Sequence, residues 1–530
     1  MPMTGISLVS DPSSWCQAPL LLLLAWVTWS RFVWPNFCSP LRHLPSPTGG
    51  SWDLNQRLRP YTEPRGRPQC DWVNSIPNNG LIRYRTLLNS DRLLVTSPEA
   101  LAEVLTTKCY DFKKPQWLVT ELKQVLGVGL LLAEGDEHRA QRKILAPAFS
   151  FRHIKNLYGV FWEKSREVVA TMTDHLSRRE QLAAQSTSSS TPVTTTGVVD
   201  IAEWANRATL DMIGIAGMGR DFGAIRDPNT DLVRAYTQVF QPSKGAIFLA
   251  ILRLLLPDWM VNCLPLRRNE EIRNAARTIR GVCAELIRQR SELLRDSSAL
   301  EHRDILSVAL QYGGFSEDHL IDQLMTFLAA GHETTATAIT WAIYLLCVHP
   351  GVQTTLRREI RDRIPSPDNS TSSVTSHNID NLVYLNAVCE EVLRYASPIP
   401  LTVREAAIDT TILGQPVPKG TRIMLVPRAT NRDSKLWGPD AQEFNPDRWM
   451  TPDARSNYAT MTFLHGPRSC IGRSFAKAEF AVLLAALVGR FEFQLKDEQL
   501  LDERKIKVAR AVTARPANGL LVKVTPLEGW

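Results

Sequence analysis

The sequence lacks cysteine pairs, long basic runs and a full-length apolar span. Its nine cysteines are scattered, odd in number and never in a Cys-x-x-Cys pair, which argues against a disulfide framework and a zinc knuckle and suits a reducing compartment. The net charge is only +7, without a long Lys/Arg run, so nucleic acid is not expected as the main partner. A mildly basic chain instead suits anionic lipid or an acidic protein partner.

The apolar segment near the N-terminus is short. A bilayer span takes about 20 apolar residues, and only twelve uncharged residues run from Ala18 to Trp29. A signal peptide would have Lys or Arg before its apolar run, and none precedes this one. Arg31 and Arg42 follow it, which favours a cytosolic location for the rest of the chain. A tilted anchor, an interfacial helix and a signal-peptide core stay open, and residues 1–34 are predicted to be a membrane anchor.

The remaining organisation follows from composition. Four prolines and two glycines between residues 35 and 50 predict a stiff, helix-free hinge. Residues 51–530 are predicted to form one domain, with disordered low-complexity insertions at 184–197 and 365–376. The strongly apolar stretch 232–263 suits either a second membrane-dipping surface or a substrate lid.

One stretch near the C-terminus, Phe463 to Gly472, has the pattern Phe-x-x-Gly-x-Arg-x-Cys-x-Gly. Gly466 and Gly472 lack a Cβ, so the backbone can bend there and approach a flat cofactor closely. Arg468 can reach an anionic group on that cofactor, and Cys470 offers a thiolate, a known axial ligand of heme iron. A lone cysteine is more often a small buried hydrophobe, but a chance match at five positions is roughly one in several thousand.

A long helix is predicted from Ser316 to Cys347, with Ala330 to Thr335 at its centre. Glycine costs about 1 kcal/mol there and threonine hydroxyls compete for backbone carbonyls, so the helix is weakened where Glu333 and Thr334 place an acid beside an alcohol. A packing glycine with capping-type residues is the alternative explanation. A His-Glu-x-x-His zinc site is excluded, because Ala336 stands where the second histidine would be.

Two further pairs of polar residues share helix faces. His138 and Arg142 are four apart, which suits either a solvated basic face or a site for cofactor carboxylates. Glu391 and Arg394 are three apart in a helix predicted over residues 379–396. They form either a surface ion pair or an internal pair, and a buried carboxylate would then need a third member, for which Arg448 is the candidate. Short strands are predicted at Leu401 to Ala406, Thr411 to Gly414, and Thr421 to Val426.

In this order and at these separations, the motifs resemble the cytochrome P-450 family from about Pro45 to Leu527. The resemblance implies a mainly α fold with small β-sheets (α+β) and a long central helix crossing a heme. It implies iron protoporphyrin IX with Cys470 as axial thiolate, and a structural triad of Glu391, Arg394 and Arg448. The other cofactor-binding positions it implies are His138, Arg142, Arg404, Phe463, Gly466, Arg468 and Gly472. His138 departs from the family, which often has tryptophan there.

The same resemblance implies a monooxygenase. Electrons would come from NADPH through a separate reductase, and O2 would supply one oxygen atom to a lipophilic substrate. Glu333 and Thr334 would deliver protons through ordered water. The protein would lie in the endoplasmic reticulum membrane with its catalytic domain facing the cytosol.

The sequence does not identify the substrate, but it indicates the polarity of the substrate. The candidate pocket residues are mostly apolar, which predicts a lipophilic ligand; they are Phe112, Trp117, Phe327, Ala330, Ile399 and Leu401. The two Ser/Thr-rich insertions are similar to those of filamentous-fungal members of the family. Many of those members modify terpenoids, alkaloids or polyketides. Fatty acids are the alternative substrate class, and the protein would then be a fatty-acid hydroxylase. A heme-thiolate isomerase or dehydratase and a non-enzymatic heme-binding regulator are the alternative functions.

Overall fold

The computed structural model describes residues 21–530 with internal gaps. The gaps are 23, 48–53, 87–88, 187–195, 241–244, 246–248, 250–251, 253–259, 262–263, 296–303, 369–372, 452–455 and 510. Three predictions therefore fall partly outside the described residues: the start of the anchor, the core of each insertion and most of the apolar stretch around residues 247–256.

The chain is mainly helical. The α-helices are α1 Leu54–Thr62, α2 Arg67–Ser75, α3 Pro98–Ala102, α4 Gln116–Leu126, α5 Gly135–Leu145, α6 Phe151–Lys155, α7 Tyr158–Ser186, α8 Ile201–Met218, α9 Asp231–Phe240, α10 Arg267–Arg295, α11 Ile305–Tyr312, α12 Glu317–Val348, α13 Pro350–Arg363, α14 Ser376–Asp380, α15 Val383–Tyr395, α16 Pro427–Thr430, α17 Ser434–Trp437 and α18 Arg473–Arg490. The shorter helical pieces are Trp29–Cys38, Pro40–His43, Glu103–Thr107, Ala146–Phe149, Pro446–Trp449, Asn457–Ala459, Gly466–Arg468, Glu498–Leu501 and Glu503–Lys505.

Helix α12 is the centre of the helical core. Its N-terminus is capped by Ser316, whose side chain accepts a hydrogen bond from the backbone of His319. It packs closely on α8, because a Cβ at Gly331 would lie only 2.9 Å from Ile213. Close helix packing therefore explains the glycine, which agrees with the second of the two explanations offered from the sequence.

The strands form small sheets at the edge of the helices. They are β1 Leu81–Arg85, β2 Asp91–Val95, β3 Phe112–Lys113, β4 Gly197–Asp200, β5 Thr402–Ala406, β6 Thr410–Ile412, β7 Gln415–Val417, β8 Arg422–Leu425, β9 Phe491–Leu495 and β10 Leu521–Pro526. One sheet has the order β1-β2-β8-β5-β3, a second β4-β10-β9, and a third β6-β7. Only β2 and β8 pair in parallel; the other pairs within the described chain are antiparallel. This confirms the predicted mainly α fold with small sheets.

Three local predictions are wrong. The connector is not helix-free, because Pro35 lies inside the π-helical segment Trp29–Cys38 and Pro40 begins a 3-10 turn, a position where proline's missing N–H is harmless. The apolar segment from Phe112 to Leu126 has few local structure signals in the sequence and is expected to be a loop, but it forms strand β3 and helix α4.

The third error concerns the helix predicted over 379–396. It is two helices, because the carboxylate of Glu359 accepts hydrogen bonds from the backbone N–H groups of Tyr384 (2.9 Å) and Leu385 (2.8 Å) and so caps a new N-terminus. Parts of the second insertion are also anchored: Val374 is buried, and Arg166 donates to the carbonyl of Pro367 at 2.6 Å.

Among the described helices, none alone has the length and apolar character of a bilayer span; α12 and α13 meet that test only as a pair bent by 114°. Large apolar side chains are nevertheless exposed along the N-terminal helical segment, among them Leu22, Trp26, Phe32 and Phe37.

Candidate active site

The cysteine loop, residues 463–472, folds back on itself. The backbone N–H of Cys470 donates to the carbonyl of Phe463 at 2.9 Å. Gly466 has φ of 73°, and a Cβ there would lie 2.0 Å from the carbonyl oxygen of Leu105. Contact with the neighbouring backbone therefore by itself requires glycine at this position.

Cys470 sits immediately before α18 with its side chain exposed, unlike the buried Cys283 and Cys389. The surrounding protein desolvates the thiol and raises its pKa, while the backbone N–H of Gly472 and the guanidinium of Arg142 oppose that shift. The pKa nevertheless stays raised, so these groups limit the shift without making the thiolate, the form that binds metal, the favoured state of the free side chain. Because the side chain is exposed, the interpretation of Cys470 as a small buried hydrophobe is wrong.

Basic side chains gather beside this loop. Arg142 of α5 donates to the carbonyl of Ser469 at 2.5 Å. Arg404 of β5 is buried, and burial, followed by the positive charge of Arg468, lowers its pKa to about 10. Lys114, which the sequence analysis did not single out, has its pKa lowered to about 8 by burial and by Arg404. These basic side chains lie close enough together that their positive charges lower one another's pKa values.

One acid partly balances the cluster. Glu134 lies 3.4 Å from the ammonium of Lys114 and also pairs with the guanidinium of Arg468. Arg468 donates as well to the carbonyl of Phe112 at 2.5 Å. Its Nε, however, is buried without a hydrogen-bond partner in the described chain. Such an orphaned donor points to an anionic group as the missing partner.

His138 is buried at the edge of the same cluster. Its Nδ1 is 3.4 Å from the hydroxyl of Tyr110. Burial and then the charges of Arg468 and Lys114 lower its pKa to about 4, so the ring is neutral near pH 7. It is therefore not a cation there, but a neutral imidazole can still donate one hydrogen bond.

Helix α12 presents a small exposed face in its otherwise buried middle. Ala330 is exposed and Thr334 half-buried, although Leu328 is fully buried. The Thr334 hydroxyl donates to the carbonyl of Ala330 at 2.8 Å. Phe327 is linked to the cysteine loop through Phe149, whose ring lies 5.4 Å from its own.

Glu333 points to a different part of the chain. Its carboxylate accepts a hydrogen bond from Thr513 at 2.8 Å and lies 3.3 Å from the guanidinium of Arg515. The structure therefore does not join Glu333 directly to the Thr334 hydroxyl. No pattern in the C-terminal sequence signals Thr513 or Arg515 as partners, so sequence reasoning missed them.

The predicted triad is formed and internal. Both Glu391 and Arg394 have no exposed side-chain surface and are joined at 2.7 Å, while Arg448 lies 3.0 Å from the same carboxylate. Trp449 Nε1 also donates to Glu391 at 2.9 Å. The expectation that a buried carboxylate needs more than one partner is confirmed.

A second buried acid was missed. Glu479 of α18 is fully buried, and neither carboxyl oxygen has a hydrogen-bond partner in the described chain. Burial raises its pKa well above the ordinary value, and only the nearby Thr335 hydroxyl opposes the shift. That hydroxyl donates instead to the carbonyl of Gly331 at 3.2 Å. Burial of Glu479 therefore favours its protonated form.

The pocket predictions divide. Phe112 is fully buried in the sheet core, so as a pocket residue it is wrong. Phe327 is 8% exposed and packs in the helical core. Trp117 is exposed, and Ile399 and Leu401 are half-buried.

The residues fit a flat, dianionic iron cofactor on several independent counts. An exposed thiol, a basic cluster with an orphaned Nε, and an exposed face on the central helix occur in one part of the fold. Heme has an iron for the thiol and two propionates for the basic cluster. The described residues contain no group of three or more His, Cys, Asp or Glu side chains suited to a metal ion, and a heme needs only one such ligand from this loop.

Comparisons with known proteins agree. Residues 84–521 match the family described as Cytochrome P450. Cytochrome P450 monooxygenase FUM15 of Gibberella moniliformis is 51% identical, over 97% of this chain and 93% of that protein. Cytochrome P450 monooxygenase ALT8 of Alternaria alternata is 49% identical, over 95% of this chain and 93% of that protein. Cytochrome P450 monooxygenase sphH of Aspergillus fumigatus is 44% identical, over 94% of this chain and 91% of that protein.

These relatives are monooxygenases by name, which decides against an isomerase, a dehydratase and a non-enzymatic regulator as the function. A reductase, O2 and a small-molecule substrate are the partners that the family requires. The chain belongs to the cytochrome P-450 family and is a heme-thiolate monooxygenase similar to filamentous-fungal members.

Proposed function

We propose that Cys470 supplies the axial thiolate and that the basic cluster holds the propionates. The single observation that carries this is the exposed thiol at the start of α18 beside an orphaned arginine donor. Arg468 would turn its free Nε to one propionate, and Arg404 and neutral His138 would donate from either side. Lys114 joins the predicted set, and Glu134 limits the excess positive charge.

When bound, heme supplies the activation of O2, and the thiolate favours cleavage of the O–O bond. Thr334 holds a hydroxyl at the exposed face of the central helix, where it can pass a proton through water. Glu333 is kept away from that face by Thr513 and Arg515. It reaches Thr334 through water or after leaving Arg515, so Arg515 sets how readily the acid is used.

The substrate is a lipophilic small molecule, and secondary-metabolite biosynthesis is the proposed context. Apolar side chains exposed near the central helix support this. Val512 is 43% exposed one residue before Thr513, which binds Glu333, and Leu131 is 42% exposed. Trp117, Ile399 and Leu401 add exposed or half-buried apolar side chains from the predicted pocket.

Membrane association through the N-terminal segment is part of the proposal, with the endoplasmic reticulum as the site and the catalytic domain in the cytosol. Its support is the row of exposed tryptophan, phenylalanine and leucine side chains between residues 21 and 38. Aromatic residues of this kind favour the membrane interface. The segment 35–50 would then act as the hinge, although it contains helical turns.

The test is reconstitution of the heme-loaded chain with an NADPH-dependent reductase and a panel of terpenoids, alkaloids, polyketides and fatty acids. We expect an oxygenated product that appears only with NADPH and O2, from one of the first three classes. Product formation from fatty acids alone would overturn the proposed substrate context. The variant Val512→Phe should give a different product profile, whereas Val383→Phe, at a comparably exposed position on α15, should not.

A further inference from the structure

A second polar pocket lies beside the N-terminal helical segment. Its volume is about 240 Å³, which is below the roughly 300–1,000 Å³ of typical small-molecule sites. None of its lining residues belongs to the active site. They are Asn36, Arg42, Ser46, Pro47, Gln56, Arg57, Trp72, Arg83, Tyr84 and Arg85. Four of these are arginines and none is acidic, so the pocket favours an anion.

Two of the arginines are fixed in place. Arg83 and Arg85 are nearly buried and share the carboxylate of Asp91, at 2.8 and 3.1 Å. Both also donate to the carbonyl of Pro35, at 2.5 and 2.7 Å. One carboxylate therefore serves two guanidinium groups, and burial together with the charge of Arg83 lowers the pKa of Arg85.

The other two arginines add charge without adding acid. Arg57 donates to the side-chain oxygen of Asn89 at 2.8 Å, and its Nε is buried without a hydrogen-bond partner in the described chain. Arg42 is exposed, and its Nε lies 2.8 Å from the ring of His43. Arg42 also donates to the carbonyl of Phe37. The pocket thus contains an orphaned guanidinium donor on Arg57 and an exposed cation, Arg42, whose hydrogen-bond partners are a carbonyl and an imidazole rather than an acid.

The pocket adjoins an exposed apolar segment. The carbonyl of Pro35 belongs to the segment Trp29–Cys38, which exposes Trp29, Phe32 and Phe37 by 52%, 48% and 71%. Apolar aromatic side chains and a cluster of arginines therefore meet at one end of the molecule. If the aromatic side chains enter a bilayer interface, the arginines lie at the depth of the lipid phosphates.

We propose that this pocket binds the phosphate of an anionic phospholipid headgroup. Guanidinium groups bind phosphate oxygens through paired N–H donors, and Arg42 and Arg57 supply donors that no acid of the pocket lining occupies. The headgroup fixes the catalytic domain on the membrane surface at the hinge. This inference rests on the proposed membrane association.

The test is flotation of the heme-loaded full chain with vesicles. Phosphatidylcholine vesicles are compared with phosphatidylcholine vesicles that also contain phosphatidylserine. The wild-type chain should bind both and prefer the anionic vesicles. The double variant Arg42→Gln/Arg57→Gln should bind anionic vesicles about 25-fold more weakly, since a basic residue at an anionic surface is worth roughly fivefold, with binding to phosphatidylcholine unchanged. Arg83 and Arg85 stay untouched because they hold the fold.

Two controls separate a pocket from diffuse charge. Arg178→Gln/Arg288→Gln removes the same charge from exposed ion pairs elsewhere and should keep the preference. Arg42→Lys/Arg57→Lys keeps the charge but loses the paired donors, so it should lose most of the preference. If this lysine variant binds like the wild type, the pocket proposal is overturned.

Two other outcomes are distinguishable. Failure of the wild-type chain to float with any vesicle overturns the membrane association, and the lipid site with it. Equal binding to both vesicle types leaves the membrane association and overturns the lipid site. Inorganic phosphate could instead stabilise the wild type but not the lysine variant, with no preference for anionic vesicles. That result assigns the pocket to free phosphate and likewise overturns the lipid site. Each variant must first show the wild-type ferrous–CO spectrum, which establishes its fold.

Discussion

The carboxylate of Glu333, in the middle of the central helix, lies 3.3 Å from the guanidinium of Arg515 near the C-terminus. Thr513 adds a hydrogen bond to the same oxygen at 2.8 Å. This pairing turns the acid of the central helix away from the alcohol beside it. Under the proposed mechanism, Arg515 would be a positioning residue that sets how readily the acid serves proton delivery.

Replacing Arg515 with methionine should therefore affect both stability and coupling. The buried carboxylate loses a charged partner, which costs about 1.5–3 kcal/mol and should lower the urea midpoint. The ratio of product to oxidised NADPH should change as well, because the acid is no longer held. Arg515→Lys, which retains the charge, is the control, and its urea midpoint and product ratio should lie between those of the wild type and Arg515→Met. An unchanged product ratio in Arg515→Met would contradict the positioning role.

Replacing Thr334 with alanine removes the hydroxyl at the exposed face of α12. NADPH should still be consumed, but the fraction recovered as product should fall several-fold, because proton delivery is impaired. The matched control is Thr340→Ala. Thr340 is buried and makes the same kind of bond, 2.8 Å to the carbonyl four residues earlier. Equal coupling in the wild type and Thr334→Ala would sink the relay.

Replacing Cys470 with alanine should abolish the heme-thiolate ferrous–CO absorption and the monooxygenase activity. The measurement is the absorption spectrum of the reduced, CO-treated protein. Cys38→Ala removes another exposed thiol and should leave the spectrum intact. A normal spectrum from the Cys470 variant would refute the ligand assignment.

Replacing Glu479 with glutamine should change how stability depends on pH. The pKa of Glu479 is raised by burial, so the folded state keeps a proton that the unfolded state loses above its ordinary pKa of 4.5. The wild type should therefore lose stability as pH rises above that value, by up to about 1.4 kcal/mol per pH unit from this group.

Glutamine cannot ionise, so this contribution disappears in the variant. Urea unfolding between pH 5 and pH 8 should show the stability of Glu479→Gln relative to the wild type rising with pH. Glu285→Gln, an acid in an exposed ion pair, should give a flat difference. Parallel pH curves for the wild type and Glu479→Gln would show that Glu479 is ionised in the folded protein.

Much of the architecture was accessible from local patterns. The central helix and strands β5, β6 and β8 appear within a few residues of their predicted ends, because apolar periodicity, capping residues and turn residues are local signals. Errors occur where a distant group intervenes. The break before α15 depends on Glu359 of another helix, and Phe112 is core because β3 pairs with β5.

The sequence by itself determined the chemistry. Five spaced residues around Cys470, the acid and alcohol of the central helix, and the Glu391–Arg394 pair suffice to indicate a heme-thiolate monooxygenase, since each depends on residue types at short spacing. Only the tertiary structure decided which partners these groups meet. Arg515 beside Glu333 and Lys114 in the basic cluster join positions far apart in the chain. The burial that shifts the pKa values of Lys114 and Glu479 exists only after folding.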